Sequence, residues 1–426
     1  MNLKNLENWR SWMLNIKHFI GFILLWITIP VKAQDIISLD SIMNIIEKEN
    51  LDLKFYDQKI LSQDAKVAGA KSWMAPMIGA GTFMTPYPGQ NTMNGDKGAL
   101  MIVAEQSLPN PAKIKSKQSY LASLSNITKN QKALTLNSLK ALAKENYYDV
   151  IINEKKLKLL NENLHILSNL KKLAEIRYEY NKGTLSQIYK AESRIFETHN
   201  QLEDADGNIK VAKINLNILM NRNPENPLRI NPNAAFKNIK ILAIDSIYLL
   251  NNTSELKLAT NEINSMERES ESIMNESKPE FKIRFDHMSP LSEMMPQQYS
   301  AMAMVSIPIA PWSSKSYKAD LKANKLEIQA LEQRKNALLA NNYGMIKSLQ
   351  QKIANMEHHI EMFEDKIIPV NKKNMDVLLL NYQENKEELP MVIEGWEMLS
   401  KAQLDHLNEL GNYYKMIIEY EKSIEQ

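Results

Sequence analysis

Residues 349–377 read LQQKIANMEHHIEMFEDKIIPVNKKNMDV. Within them Leu349, Ile353, Met356, Ile360, Phe363, Ile367, Val370 and Val377 fall on alternating steps of four and three, with Asn374 the one vacancy. This is an a/d heptad seam sustained over four heptads, the pattern of a helix that packs along a partner for its whole length. Pro369 is the only breaker inside it. The seam reads as keeping its phase across the proline, so a kink rather than an end is expected there. Extended outward, the helical pattern runs from Trp312 to Tyr382, which at a rise of ~1.5 Å per residue makes a rod of roughly 105 Å. A second stretch of matching length, Pro111 to Tyr180, lies about 200 residues earlier.

The chain has 426 residues, 24% charged and 44% hydrophobic, ample material for a folded structure. Glycine is scarce (12 residues), which suits long helices better than a β-rich architecture. The net charge of +2, with lysine and glutamate intermixed along helix faces, gives no pointer to nucleic acid. The absence of cysteine excludes disulfides, thiolate metal sites, a cysteine nucleophile and a lipid-modified N-terminal cysteine.

At the N-terminus, Lys4, Arg10 and Lys17 precede a mostly apolar run from Phe19 to Ile29, followed by Val31-Lys32-Ala33 and Gln34. A basic region, a short apolar region and small residues at the cleavage positions predict a secretory signal over residues 1–33, cut after Ala33. Eleven residues are too few for a comfortable membrane span. Starting at Met13 would shorten the basic region to a more usual length.

From residue 34 the elements come in an order that then repeats. Ser38 or Asp40 can cap a helix reading to about Trp73 and ended by Pro76. A β-hairpin over 76–108 follows, then a long helix over 111–180, a turn at Asn181–Gly183, a return helix over 185–220 and a proline linker to 233. Residues 234–426 repeat the order: a helix, a hairpin over 279–308, the rod over 312–382 and a return helix over 389–426. Asp245-Ser-Ile echoes Asp40-Ser-Ile, and Leu256 and Leu258 echo Leu51 and Leu53, all at an offset of 205. Tyr382, Asn385, Lys386, Leu389 and Val392 match Tyr178, Asn181, Lys182, Leu185 and Ile188 at 204, while a register of 202 would pair Asn385 with Gly183.

The strands point to a membrane. Phe281, Ile283 and Phe285 alternate with Lys282, Arg284 and Asp286, the pattern of a strand with lipid on one side and a watery lumen on the other, though also of a half-exposed surface hairpin. Trp73 and Trp312 lie where helix meets strand, the level at which tryptophan sits in an interfacial belt. A barrel in lipid must close, so four strands per chain require several chains; three copies would supply twelve.

The element order, the duplication and the turn motifs Tyr180-x-x-Gly183 with Leu185 and Tyr382-x-x-Asn385 with Leu389 resemble the TolC family of outer-membrane efflux proteins. Asn215-Leu-Asn-Ile-Leu219 before the linker, and the proline after each second strand, add to the resemblance, which covers the chain from Ser38 onward. It implies a mainly α fold with a small β part: duplicated long helical hairpins forming an α-barrel tunnel, and four strands per chain contributing to a trimeric, twelve-stranded β-barrel. It also implies a homotrimer in the lipid of the outer membrane with a long periplasmic part. The expected partners are a periplasmic adaptor and an inner-membrane pump of RND or ABC type, with no cofactor. The turns at Asn181–Gly183 and Asn385–Glu388, with Lys386, would form the periplasmic tip. Where the family often carries two aspartates past the second turn, this chain has Met391 and Glu394, leaving a single Glu394 ring or a Met391 plug as gate candidates. Asn385 stands where the family usually has glycine, and asparagine also tolerates a left-handed turn.

Nothing reads as an enzyme. His358 and His359 are adjacent and point to different faces, and no phosphate loop, nucleophile elbow or zinc-protease pattern is present. Met288, Met294, Met295, Met302 and Met304 crowd the second hairpin beside His287; thioethers suit Cu(I) or Ag(I), but equally adaptable packing, and no ligand set stands out. Two other readings fit parts of the sequence: an exported coiled-coil structural or adhesive protein, which leaves the paired hairpins unexplained, and a periplasmic adaptor, which needs more β structure.

Overall fold

The computed structural model describes residues 36–93, 95–234, 236 and 241–425. The expected signal segment, residues 1–33, lies outside them. The first half comprises α1 (Leu39–Glu49), α2 (Leu51–Gly69), β1 (Met77–Phe83), β2 (Ala99–Leu108), α3 (Pro111–Glu179) and α4 (Leu185–Leu219). The second comprises α5 (Ser246–Asn252), α6 (Ser254–Asn275), β3 (Phe281–Pro290), β4 (Gln298–Val305), α7 (Lys315–Met362), a π-helical segment (Phe363–Ile367), α8 (Ile368–Gln383) and α9 (Leu389–Ile424).

The first helix of each half is broken where a single helix was expected. Asn50 is extended (ψ 133°), accepts the Asp52 N–H on its side chain to cap α2, and donates its amide to the Leu219 carbonyl at 3.0 Å. The second half breaks at Thr253, and there the Ser254 hydroxyl donates to the Glu425 carboxylate at 2.7 Å. Each break is thus tied to the far end of its own return helix. The local echoes at 205 do not share structural positions: Ser38 caps α1, whereas Asp245 caps α5, and the buried partner of Leu256 is Leu53 rather than Leu51, which is exposed.

Both rods begin after a proline-containing junction and run the same length. Asn110 caps α3 with Pro111 in its first turn, and α3 spans 69 residues. The 48 residues of α7, 5 of the π segment and 16 of α8 equal it. The π turn holds one residue more than an α turn and precedes Pro369, whose ring and missing N–H an α-helical ladder would not tolerate. The extra residue corrects the expected seam. The more buried positions are Leu349, Ile353, Met356, Ile360 and Phe363, then, after a step of five, Ile368, Asn371, Met375, Leu378 and Tyr382. Val370 and Val377, the expected continuation, are turned outward, 62% and 56% exposed.

The two hairpins form one antiparallel sheet in the order β1-β2-β3-β4, joined by a ladder from Ala99↔Pro290 to Leu108↔Phe281. All helices lie at one end of it, and the hairpin loops at the other. Three apolar clusters hold the helices. One joins α1 to the middle of α3 and the end of α4, one joins α5 and α6 to α7 and the end of α9, and one sits at the far tip.

Candidate functional site

The two rod-to-return turns are the same structure at an offset of 204. Asn181 (φ 52°) and Asn385 (φ 59°) are left-handed; Lys182 N–H donates to the Arg177 carbonyl and Lys386 N–H to the Asn381 carbonyl, each at 2.8 Å. This is the Schellman closure of a helix end. Gly183 is not the left-handed residue, so the 202 register is not the geometric one. A Cβ at Gly183 would lie 3.2 Å from the side chain of Gln187, which reaches back to the Thr184 N–H at the start of α4.

Beneath the turns, Leu167, Leu170, Ile188, Met375, Val392 and Trp396 form the tip core, with Tyr382 only 1% exposed inside it. Arg177, in the last turn of α3, lies 4.0 Å from the centroid of the Tyr382 ring. Its guanidinium donates to the Tyr382 carbonyl at 2.8 Å and to the side-chain oxygen of Asn385. It therefore sits against the negative ends of two helices as well as an aromatic face. Farther up, Arg194 of α4 donates to Glu397 of α9 at 2.6 Å, and Asn163 donates to Ser400 at 3.0 Å in a buried contact. The hydrogen bond to Glu197 and then the charge of Glu397 hold the Arg194 pKa above its ordinary value.

Sequence reading missed these ties between the hairpins, although a signal was present. Arg177 and Arg194 are the only arginines between residues 111 and 220, in a stretch otherwise served by lysine. Both make the crossing contacts that need a planar, multi-donor fork.

Met391 and Glu394 fall three apart on α9, on the face opposite Val392, Ile393 and Trp396; both are exposed. Lys386 is exposed at the turn and pairs with Glu384. Asn181, Gly183 and Asn385 are thus brought to one tip, with Met391 and Glu394 one to two helical turns above it.

At the other end, the sheet register sorts the strand residues by face. Ile78, Ala104, Phe285 and Ala301 share one face with Ile102, Ile283 and Val305. Glu105, Lys282, Arg284 and Asp286 share the other, where Lys282 pairs with Glu105 at 3.1 Å and Arg284 with Asp286 at 2.8 Å. One face is apolar and exposed, the other charged. His287 faces the apolar side while Met288, Met302 and Met304 face the charged side, which divides the methionine-rich group seen in the sequence. Among the described residues no group of three His, Asp or Glu is placed to hold a metal. The outer strands β1 and β4 each leave one edge unpaired. Trp73, before β1, and Trp312, after β4, are 62% and 85% exposed at the helical end of the sheet. Among the described residues no helix is long and apolar enough to cross a membrane.

No protein-family model matches the sequence, and no curated protein does so either. Solved structures do. The chain is similar to the outer-membrane channel OprN, at 14% identity and a TM-score of 0.76 over 91% of this chain and 89% of that one. It is similar to CusC, described in terms of transmembrane channel formation, at 12% identity and 0.75 over 91% of each. It is also similar to the outer membrane protein VceC of Vibrio cholerae, at 12% and 0.72 over 91% and 95%. The fold is that of the TolC-type outer-membrane channels. In a TolC-type fold the paired rods are the wall of a helical tunnel and the sheet is part of a β-barrel. The likeness extends over most of both chains, 91% of this one and 89–95% of those three.

Proposed function

We propose that this protein is the outer-membrane duct of a tripartite efflux system, conducting its substrates passively from periplasm to exterior. The observation that carries the reading is a four-stranded sheet with two open edges, one apolar face and one charged face, set at one end of two equal rods whose far ends are latched together. Open strand edges are not tolerated in lipid, so the sheet must be completed by other copies. Three copies supply twelve strands, and the outward-turned Val370 and Val377 offer an apolar face for a neighbouring rod. The protein is accordingly a homotrimer, with its sheet in the outer-membrane lipid, Trp73 and Trp312 at the interface, and its rods in the periplasm.

The chain divides at the proline linker into two units, 34–233 and 234–426, each contributing one hairpin to the barrel and one to the tunnel. A Glu394 ring or a Met391 plug forms the constriction near the tip, and the turns at Asn181–Gly183 and Asn385–Glu388 meet a periplasmic adaptor. An inner-membrane pump of RND or ABC type supplies the energy, and opening moves the second turn against the first. No catalytic group is assigned.

Single-channel recording of the detergent-extracted protein in a planar bilayer, with its mass measured alongside, tests this. A trimer giving small, mostly closed, cation-biased currents is expected. A protein that stays soluble without detergent and is silent in bilayers would leave a coiled-coil fibre or an adaptor instead.

A further inference from the structure

The helical end of the sheet carries a collar that the conduction reading does not use. Its apolar part is Trp73, Met74, Ile307, Ile309 and Trp312, each more than 60% exposed. These residues lie in the short segments joining α2 to β1 and β4 to α7. Interleaved with them are Lys71, Lys115, Lys117, Lys278, Lys315 and Lys318, all exposed and without an ion pair among the described residues. Lys113 is the neutralised member of the group, held by Glu280 at 2.8 Å. Carboxylates are few here: the segments 65–76 and 109–122 contain none, and between residues 273 and 319 there are only Glu276 and Glu280, apart from Asp286, paired with Arg284 within β3, and Glu293 in the distant hairpin loop. Lys113 and Lys117 also line an open cleft of about 440 Å³ between the starts of the two rods, where Glu276 and Glu280 balance them, so the unpaired charge of the collar lies on the lysines outside this cleft.

Each feature has a physical consequence at a lipid surface. Tryptophan settles at the level of the headgroups, where its ring is apolar and its N–H can bond. Lysine stems lie along apolar surface while the ammonium reaches outward to phosphate. An excess of unpaired ammonium groups next to a bilayer selects lipids with net negative charge, because zwitterionic headgroups offer no net attraction. The charge is also placed at one end only: the loop 84–98 at the other end holds Asp96 and Lys97, and the loop 291–297 holds Glu293 and no cation.

We infer that this lysine and tryptophan collar binds anionic phospholipids of the phosphatidylglycerol class in the leaflet nearest the helices, forming a selective lipid shell around the barrel base. The inference rests on the membrane-barrel reading and adds to it the lipid class that is recognised.

The test uses the full protein reconstituted in vesicles of phosphatidylethanolamine and phosphatidylcholine, with spin-labelled phosphatidylglycerol or spin-labelled phosphatidylcholine as the probe. The motionally restricted fraction of each reports selection at the protein surface. Spin-labelled phosphatidylglycerol is expected to be preferred by about threefold at low salt, falling toward parity at about 1 M salt as the Debye length shrinks to ~3 Å. The quadruple variant Lys71→Gln, Lys115→Gln, Lys315→Gln, Lys318→Gln, which alters only exposed side chains, should lose the preference while keeping the same total restricted lipid. Equal restriction of the two probes by the wild-type protein overturns the collar, as does a preference that survives the quadruple variant. Those outcomes leave the duct intact if conductance persists. Failure to enter vesicles at all overturns both readings.

Discussion

Arg177, at the end of the first rod, holds the last turn of the second rod by covering the Tyr382 ring at 4.0 Å and donating to the Tyr382 carbonyl at 2.8 Å. The two residues lie 205 apart in sequence and belong to different hairpins. The contact fixes the relative position of the two turns, so it is the first thing that must yield if the hairpins separate.

Replacing Arg177 with alanine should therefore raise the open probability of reconstituted channels and lower the force needed to part the hairpins. Lysine at the same position should behave nearly like alanine, because an ammonium cannot cover the ring and donate to two oxygens at once. Bilayer recordings of both variants decide this. Channels as closed as the wild type in Arg177→Ala would mean that the latch does not restrain the tip.

Glu394 is exposed on α9 with no ion pair among the described residues. If it lines the constriction, three copies place three carboxylates at one level. Glu394→Ala should then reduce cation bias and abolish sensitivity to millimolar divalent cations, whereas Met391→Ala should widen the closed-state leak without changing bias. Currents that are unchanged at every cation concentration in Glu394→Ala would remove the carboxylate ring.

The π segment sets the phase of everything beyond it. Deleting Asp365 should convert it to an α turn without turning α8 relative to α7, because the step of five from Phe363 to Ile368 becomes an ordinary step of four. Met375 and Tyr382 would stay in the tip core, and Val370 and Val377 would stay turned outward. Limited trypsin digestion should then cut no faster at Arg177, Lys182 and Lys386 than in the wild type, and faster cutting there would contradict the assignment.

Lys156 lies in a groove with Asp149, Asn153 and Lys415, and its pKa is held below the usual lysine value, chiefly by burial and further by Lys415. A lysine with a depressed folded pKa binds its proton less tightly in the fold than in the unfolded chain. Its contribution is therefore favourable only above the unfolded value, and is lost as pH falls through the folded one. At neutral pH the penalty is fully present. Lys156→Met should raise the melting temperature by about 1–2 °C at pH 7, as expected for a small gain in a chain of this size. The difference should shrink as pH approaches that of free lysine. A melting temperature that falls at pH 7 would show that the ammonium is stabilised by its neighbours.

Much of the architecture is written in local patterns. Pro111 and the heptad runs mark where rods start and how long they are, and asparagine or glycine marks where they turn, because capping, proline geometry and helical periodicity act within a few residues. The alternation of Phe281, Ile283 and Phe285 with charged residues announced a two-faced strand for the same reason.

Other features depended on partners distant in sequence. Asn50 breaks a helix that propensity alone would continue, because its amide reaches Leu219 across 169 residues. The π turn before Pro369 shifts the seam by one residue, and only the packing of Met375 and Tyr382 against α9 reveals which face won. The two hairpins join into one sheet through the β2–β3 ladder, whose strands are separated by α3, α4, the linker, α5 and α6. The sequence by itself determined the order of helices and hairpins and the lengths of the rods and return helices, since these follow from short-range backbone and capping energetics. The tertiary structure decided the helix phase, the single sheet and the Arg177 latch, since each is set by contacts between residues far apart in the chain.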